Sequence, residues 1–164
     1  MTQNLVERND PILRAIAAEV PLKDISSKKM QVVINKMKKA LHAEDDGVAI
    51  AAPQVGVPLQ IFIVRGSNST TRQDRIFFNP KITKASRKKN KVEEGCLSLR
   101  YLYGQVLRHD KVTIEAYDEG GKKIMVGASG LLAQIFQHEI DHLKGVLFID
   151  KAEDVKNVPP TNHD

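Results

Sequence analysis

The sequence has one cysteine, no tryptophan and few aromatic residues, which make up 5% of the chain. A single cysteine, Cys96, excludes an internal disulfide. No apolar run approaches the roughly 20 residues that cross a bilayer, so we expect no membrane contact. The first ten residues, MTQNLVERND, contain no apolar stretch of the kind found in secretory signals. These absences favour the cytoplasm of a bacterium or the matrix of an organelle.

The length and the charge of the chain suggest a small basic protein. The 164 residues suit one domain with one core, so we expect 1–164 to form a single domain, with about 155–164 fraying. The net charge is +5, and basic residues cluster at 36–39 and 87–91. Such clusters suit the ribosome surface, although solvated faces have the same pattern. Aromatic residues do not interleave with the lysines as a stacking platform for nucleic acid would require, which favours solvated faces. We expect no sequence-specific nucleic acid partner.

Hydrophobic periodicity predicts an α+β fold, in which mixed, mostly antiparallel sheets pack around a central metal-binding helix. An amphipathic helix is predicted from about Ser27 to Ala43. A second helix, from Leu131 to Lys144, is apolar on more than one side and therefore belongs inside the domain. Other segments are predicted as strands (59–64, 75–83 bent or at an edge because of Pro80, 111–118, 123–128 and 146–150) or as loops (66–74 and 84–92).

The second predicted helix contains the stretch QHEIDHLKG, residues 137–145. His138 and His142 are four residues apart, so both imidazoles leave the same helix face and reach one metal ion. Glu139 lies one residue further on, where it can address a water without ligating the metal. This is the His-Glu-x-x-His arrangement of metallohydrolases.

The third metal ligand does not follow the two histidines in the sequence. The extended motif of one large class of metallopeptidases would place a third histidine where Phe148 stands. The residues after His142 also lack the helical pattern from which another class takes a glutamate. The third ligand is therefore expected upstream, where Cys96 in EGCLS is the candidate. A lone cysteine is also a common small core residue, so the residues alone leave both roles open.

Three stretches together resemble the signature motifs of the peptide deformylase family. They are GVAIAAPQVG (47–56), EGCLS (94–98) and QHEIDHLKG (137–145), and they occur in the order and spacing of that family. The resemblance covers nearly the whole chain. It implies a metal-dependent hydrolase that removes the N-formyl group from N-formylmethionyl ends of newly made polypeptides.

The resemblance also implies a role for each matching residue. Cys96, His138 and His142 would hold one divalent metal ion. The ion would be Fe²⁺ in vivo, with Zn²⁺, Ni²⁺ or Co²⁺ able to occupy the purified protein. Glu139 would act as general base and then as general acid. Gln54 and the backbone N–H of Leu97 would donate hydrogen bonds to the oxyanion.

The substrate pocket and the regions around the ligands follow from the same motifs. Val48, Leu97 and Ile135 are the candidates for an apolar pocket that takes the substrate side chain, and Ala49 is a candidate for bordering the substrate. Ala49 stands where the family usually has glycine, and Arg100 stands where it often has proline, two residues after EGCLS. Asp141, inside the metal motif, is expected to orient a metal ligand.

Two other functions remain as alternatives. The first is a metallopeptidase of the His-Glu-x-x-His type, which the absence of the usual third ligands disfavours. The second is a non-catalytic relative that associates with the ribosome, which the basic surface favours. The complete set of Cys96, His138, Glu139 and His142 argues against the second alternative.

Overall fold

The structure, a computed structural model, describes residues 4–66 and 73–161, and it has two α-helices and eight β-strands within them. The elements are α1 (Lys28–His42), β1 (Ala49–Ala51), β2 (Ile61–Val64), β3 (Arg75–Ala85), β4 (Lys89–Gly95), β5 (Leu102–His109), β6 (Lys111–Tyr117), β7 (Lys123–Ser129), α2 (Gly130–Leu143) and β8 (Glu153–Asn157). Neither helix of this described part is long and apolar enough to cross a membrane.

The strands form two sheets. One has five strands in the order β1-β2-β3-β6-β7, and the other has three in the order β4-β5-β8. Every pair of neighbouring strands is antiparallel, and an isolated bridge between Ala18 and Leu59 is parallel. This arrangement confirms the predicted α+β class.

The five-stranded sheet lies between the two helices. Alternate side chains of a strand point to opposite faces, so Ile61 and Ile63 of β2 pack towards α1 while Phe62 packs towards α2. This two-sided burial explains why β2 is an uninterrupted apolar run. The α1 helix begins where expected, since the Ser27 side chain accepts a hydrogen bond from the N–H of Met30.

Helix α2 is central, as predicted. It contacts β1, β2, β6 and β7 of the larger sheet and β5 of the smaller one. Phe136 packs against Phe62 and Phe77, with ring centroids 5.8 and 5.3 Å away. The helix stops before Gly145, whose φ is 74° and where a Cβ would come within 2.4 Å of the Arg14 carbonyl oxygen. Glycine is therefore required at this end of the metal-motif helix.

Several segments differ from the sequence prediction. Residues 84–92, predicted as a loop, belong mostly to the ends of β3 and β4, and β5 was not predicted. The segment 146–150, predicted as a strand, contains a 3-10 turn at Phe148–Asp150. The tail expected to fray from about 155 includes the end of β8, which is fixed by backbone pairing to β5. The loop predicted for 66–74 lies largely outside the described residues.

Strand β3 is continuous and lies inside its sheet, so of the two consequences predicted from Pro80, an edge position or a bend, the edge position is wrong. The ladder to β6 shifts register between Phe78 and Lys81, so the strand is irregular where the proline lacks an N–H donor. Asn79 occupies this irregularity with a φ of 49°. Its side chain accepts from the Val20 N–H at 2.8 Å and donates to the Val20 carbonyl at 2.9 Å. Asn79 thereby ties the N-terminal segment to the sheet.

We predict that Asn79→Ala lowers the free energy of unfolding by about 2–4 kcal/mol, because two backbone groups of Val20 lose their partner. Asn79→Gly, which accepts the positive φ, should lose nearly as much if the hydrogen bonds dominate. Chemical denaturation is the measurement, and Asn90→Ala, a change at a partly exposed position, is the control. Equal losses for Asn79→Ala and Asn90→Ala would contradict the assignment.

Candidate functional site

A cleft of about 260 Å³ lies between α2, the region around β1 and the segment that runs from β4 to β5. Each of the three motifs contributes to one wall of the cleft: 47–56 around β1, 94–98 after β4, and 137–145 on α2. Among its lining residues are Val48, Ala49, Gln54, Cys96, Leu97, Ile135, His138 and Glu139. The structure therefore brings the predicted ligands, catalytic residues and substrate-binding residues to one cavity, except for His142, which contacts Cys96 just behind it.

Three potential metal-ligand atoms meet at the inner end of this cleft. The Cys96 Sγ is 3.3 Å from His142 Nε2, and the ligand atoms of Cys96, His138 and His142 all lie within 4.8 Å of one another. Tetrahedral Zn–N and Zn–S bond lengths place neighbouring ligands roughly 3.3–3.7 Å apart. The sulfur and the two imidazole nitrogens are therefore spaced closely enough to bind a single metal ion.

The position of Cys96 depends on the strand that precedes it. Cys96 directly follows β4, and a 3-10 turn begins at Leu97. Gly95 pairs with Tyr103 of β5, and a Cβ at position 95 would meet the Tyr103 ring at 2.7 Å. Glycine is needed here because the ring covers the backbone that carries Cys96.

Glu94 holds His138 in place, a role that the sequence analysis missed. His138 Nδ1 lies 2.8 Å from Glu94 Oε1, so its other nitrogen is left for a metal. Arg108 binds the same carboxylate through two hydrogen bonds of 2.6 and 2.7 Å. Burial raises the pKa of Glu94, but Arg108 and His138 outweigh burial and lower this pKa to about 2. Glu94 is therefore an ionised acceptor at neutral pH.

Asp141 does not orient a metal ligand directly, contrary to the sequence prediction. Its carboxylate accepts from Arg108 Nη1 at 2.7 Å and also lies 3.0 Å from Lys151 Nζ. Asp141 therefore acts on His138 only through Arg108 and Glu94. The sequence signal for Glu94 was its place in EGCLS, two residues before the cysteine, whereas nothing in the sequence singled out Arg108.

Glu139 lies beside the ligand cluster without belonging to it. Its side chain is 4% exposed, and its Oε1 is 4.0 Å from His138 Nε2. Among the described residues, its Oε2 has no hydrogen-bond partner. Burial raises the pKa of this carboxyl, although His138 and His142 oppose the shift. A buried carboxyl with a free oxygen and a raised pKa is suited to taking up and releasing a proton.

The cysteine is also adapted to ligation. Burial raises the pKa of the Cys96 thiol, but the neighbouring His142 and His138 lower it well below its ordinary value. A thiolate is the form that binds metals. The donor atoms and the orphaned oxygen of Glu139 fit a divalent ion with water beside it.

Gln54 places an amide group next to the cluster. Its Oε1 accepts from the Ala51 N–H at 2.8 Å, which fixes the orientation of the amide. Its Nε2 donates to Ser98 Oγ at 3.0 Å and lies 3.6 Å from Cys96 Sγ. Like Glu94, Ser98 lies in the EGCLS motif and had no role predicted from the sequence. Both contacts hold an N–H group at the inner end of the cleft.

The substrate-binding candidates Val48, Ala49 and Ile135 differ in exposure. Val48 is 52% exposed at the rim, whereas Ile135 is 8% exposed and Ala49 is 7% exposed. Ala49 and Ile135 both belong to the apolar cluster around α2. The Ala49 methyl therefore lies on the side of β1 that faces the helix and borders the cleft.

The His-Glu-x-x-His helix with a cysteine beside it is the arrangement found at the metal site of metal-dependent hydrolases. Comparison with known proteins narrows this class, since a family described as "Polypeptide deformylase" matches residues 2–158. The peptide deformylase of Halothermothrix orenii is 42% identical, over 87% of this chain and 88% of that protein. The chloroplastic peptide deformylase 1A of Solanum lycopersicum is 37% identical, over 90% of this chain.

The coverage of some relatives is partial. The chain spans 58% of the tomato protein and 64% of the Treponema pallidum peptide deformylase. A solved class I type b peptide deformylase from Acinetobacter baumannii is 32% identical, with a TM-score of 0.83 over 90% of this chain and 97% of that one. The chain belongs to the polypeptide deformylase family. This family is metal-dependent, and the cluster of Cys96, His138 and His142 is the candidate metal site.

We predict that Glu94→Gln weakens metal binding by about 10–100-fold, because a neutral amide orients His138 less firmly and leaves the charge of Arg108 less compensated. Competition with a coloured chelator for Zn²⁺ measures the affinity. Glu93→Gln is the matched control, since it changes the exposed neighbour on the same strand. Equal affinities in the two variants would refute the role of Glu94.

Proposed function

We propose that this protein removes the formyl group from the N-formylmethionyl ends of newly made polypeptides. The observation that carries the proposal is the meeting of Cys96, His138 and His142 beside the buried Glu139 at the inner end of a cleft. Solved relatives from Arabidopsis thaliana and Synechococcus elongatus were crystallised with an inhibitor and with actinonin. A cleft that admits such compounds suits a peptide end.

The proposed cofactor is one divalent metal ion held by Cys96, His138 and His142. Fe²⁺ is the proposed native ion, with Zn²⁺, Ni²⁺ or Co²⁺ replacing it during purification, because affinity alone does not select iron. When bound, such an ion acidifies water so that hydroxide is available near neutral pH. Metal analysis after anaerobic purification, with a deformylation assay on the same sample, tests both parts of the proposal.

We propose a role for each of the surrounding side chains, and their positions support these roles. Glu139 takes a proton from the attacking water and returns it to the leaving amine, so that formate and a free N-terminus result. The Gln54 amide and the Leu97 N–H donate to the oxyanion that develops on the formyl oxygen. Donors that are already in place contribute about 3 kcal/mol each to the transition state. The contacts of Gln54 with Ala51 and Ser98 support this preorganisation.

The substrate backbone is proposed to lie along β1, which is an edge strand of its sheet. An extended peptide adds to such an edge through main-chain hydrogen bonds. Val48, Leu97 and Ile135 would then contact the methionine side chain, and Ala49 would border the substrate. The exposed basic residues at 87–91 would face the ribosome, in a bacterial cytoplasm or an organelle. The bacterial and chloroplastic relatives support these two locations.

A metallopeptidase is the second candidate function. Assay of matched formylated and unformylated peptides separates the two activities. Release of formate from the first, with no cleavage of either chain, supports deformylation. Cleavage of internal peptide bonds in both would support the peptidase.

We predict that Glu139→Gln keeps its metal and loses most of its activity, at least about a hundredfold in kcat. The reason is that Glu139 lies beside the ligands and moves protons. Metal content and kcat are measured on one preparation. Cys96→Ala and His138→Ala are the comparison variants, and both should bind metal far more weakly. Metal loss in Glu139→Gln as large as in His138→Ala would contradict the assigned role.

We predict that Ala49→Gly raises kcat/KM for formyl-methionyl peptides, and most for bulky ones. Ala49 lines the cleft together with Ile135, and we propose that its methyl, on the side of β1 that faces α2, narrows the cleft. Relief of a clash of about 1 kcal/mol corresponds to roughly a fivefold increase. Ala133→Gly, which alters a buried alanine of the same cluster outside the lining of the cleft, is the control. If the ratio of kcat/KM between Ala49→Gly and the wild type is the same for short and bulky peptides, the methyl does not narrow the cleft.

A further inference from the structure

Arg100 connects the two sides of the cleft mouth. Its guanidinium donates to Asp46 through bonds of 2.8 and 3.2 Å and to Glu44 Oε2 at 2.9 Å. Arg100 and Asp46 both line the cleft. The two acidic residues precede β1, whereas Arg100 follows the turn after Cys96. One side chain therefore joins a wall continuous with the five-stranded sheet to a wall continuous with the three-stranded sheet.

Each side of this bridge is attached to the rest of the molecule. Arg65 at the end of β2 donates to the carbonyl oxygens of Glu44 and Gly47, at 2.9 and 3.2 Å. On the other side, Arg8 donates to the Arg100 carbonyl oxygen. The bridge therefore acts between two anchored segments.

We propose that Arg100 is a positioning residue that fixes the width of the cleft mouth through its bridge to Asp46 and Glu44. The inference rests on the proposed function, and it assigns a role to a residue at which this chain departs from the usual motif. The substrate affected is the part of the peptide beyond the formyl-methionyl group, because the bridge lies at the mouth and the ligand cluster at the inner end.

The exposure of the bridge indicates that its role concerns the cleft rather than the overall fold. The Arg100 side chain is 27% exposed, Glu44 18% and Asp46 64%. Ion pairs with this much solvent contact contribute little to stability. The hydrogen bond from Arg100 lowers the pKa of Asp46, so the pair stays charged at neutral pH. Salt screens an exposed pair of this kind.

Arg100→Gln should raise KM about three- to tenfold for formyl-methionyl peptides of four or more residues, with kcat and Tm nearly unchanged. Formyl-methionine amide, which does not reach the mouth, should keep its KM. Arg100→Lys keeps the positive charge and should raise KM for the long peptides less than Arg100→Gln does. In the wild type, KM for the long peptides should rise with salt, and in Arg100→Gln it should not.

A double-mutant cycle with Asp46→Asn tests whether the pair acts as a unit. The double variant should resemble Arg100→Gln alone, because the second change removes nothing further. The matched control is the exposed pair of Lys123 and Glu115, 3.0 Å apart between β7 and β6, changed to Lys123→Gln and Glu115→Gln. These control variants should leave KM unchanged.

Hydrogen–deuterium exchange gives a readout that does not depend on activity. Backbone amides of 43–48 and 97–103 should exchange faster in Arg100→Gln than in the wild type or in Lys123→Gln. Unchanged exchange there, an equal rise of KM for short and long substrates, or full additivity in the cycle would overturn the proposal. A wild-type protein that deformylates no peptide would instead reject the proposed function, and the exchange experiment would still decide the role of Arg100.

Discussion

The buried ion pair between Glu94 and Arg108 is the interaction on which the candidate site depends. Both side chains are almost fully buried, at 3% and 4% exposure. Taking two charges out of water costs free energy, which is recovered only when every polar atom has a partner. Here the Arg108 guanidinium is divided between Glu94 and Asp141, and Glu94 also accepts from His138. These contacts offset the cost of desolvation, and they fix the orientation of the His138 imidazole.

The sequence predicted those parts of the fold that carry a regular apolar pattern. Both helices, the β6–β7 hairpin and the buried strand β2 follow from periodicity, because each packs apolar side chains on a known face. Strands β4 and β5 escaped the same rule for a physical reason. Their inward positions include Glu94 and Arg108, so the alternation that marks a half-buried strand is replaced by charge. Strand β8 is exposed throughout, and it is held by backbone pairing to β5 and by an exposed ion pair of Glu153 with Lys91 of β4, 3.2 Å long.

The candidate site, too, has some residues that the sequence predicted and others that it did not. The spacing of His138 and His142 predicted their common face, and motif resemblance drew attention to Cys96 and Gln54. What the sequence did not predict was the set of contacts that support them. Arg108 on β5 binds Glu94 on the neighbouring strand β4, and it also binds Asp141 on helix α2. Asp141 was expected to orient a ligand because it lies in the metal motif, but its carboxylate binds Arg108 and Lys151, so it acts on His138 only through Arg108 and Glu94. The pairing of β4 with β5 brings Arg108 to Glu94, and this pairing was not predicted from the sequence.

The two sheets contribute separately to the ligand cluster, and this has a consequence for folding. Cys96 comes from the end of the three-stranded sheet and His142 from a helix packed on the five-stranded sheet, 46 positions later in the chain. The cluster therefore does not exist until the sheets dock, after the entropy of closing that long loop has been lost. A metal ion that binds only the docked arrangement adds its binding free energy to folding. The ion would then serve as a staple between the two halves of the molecule as well as a reagent.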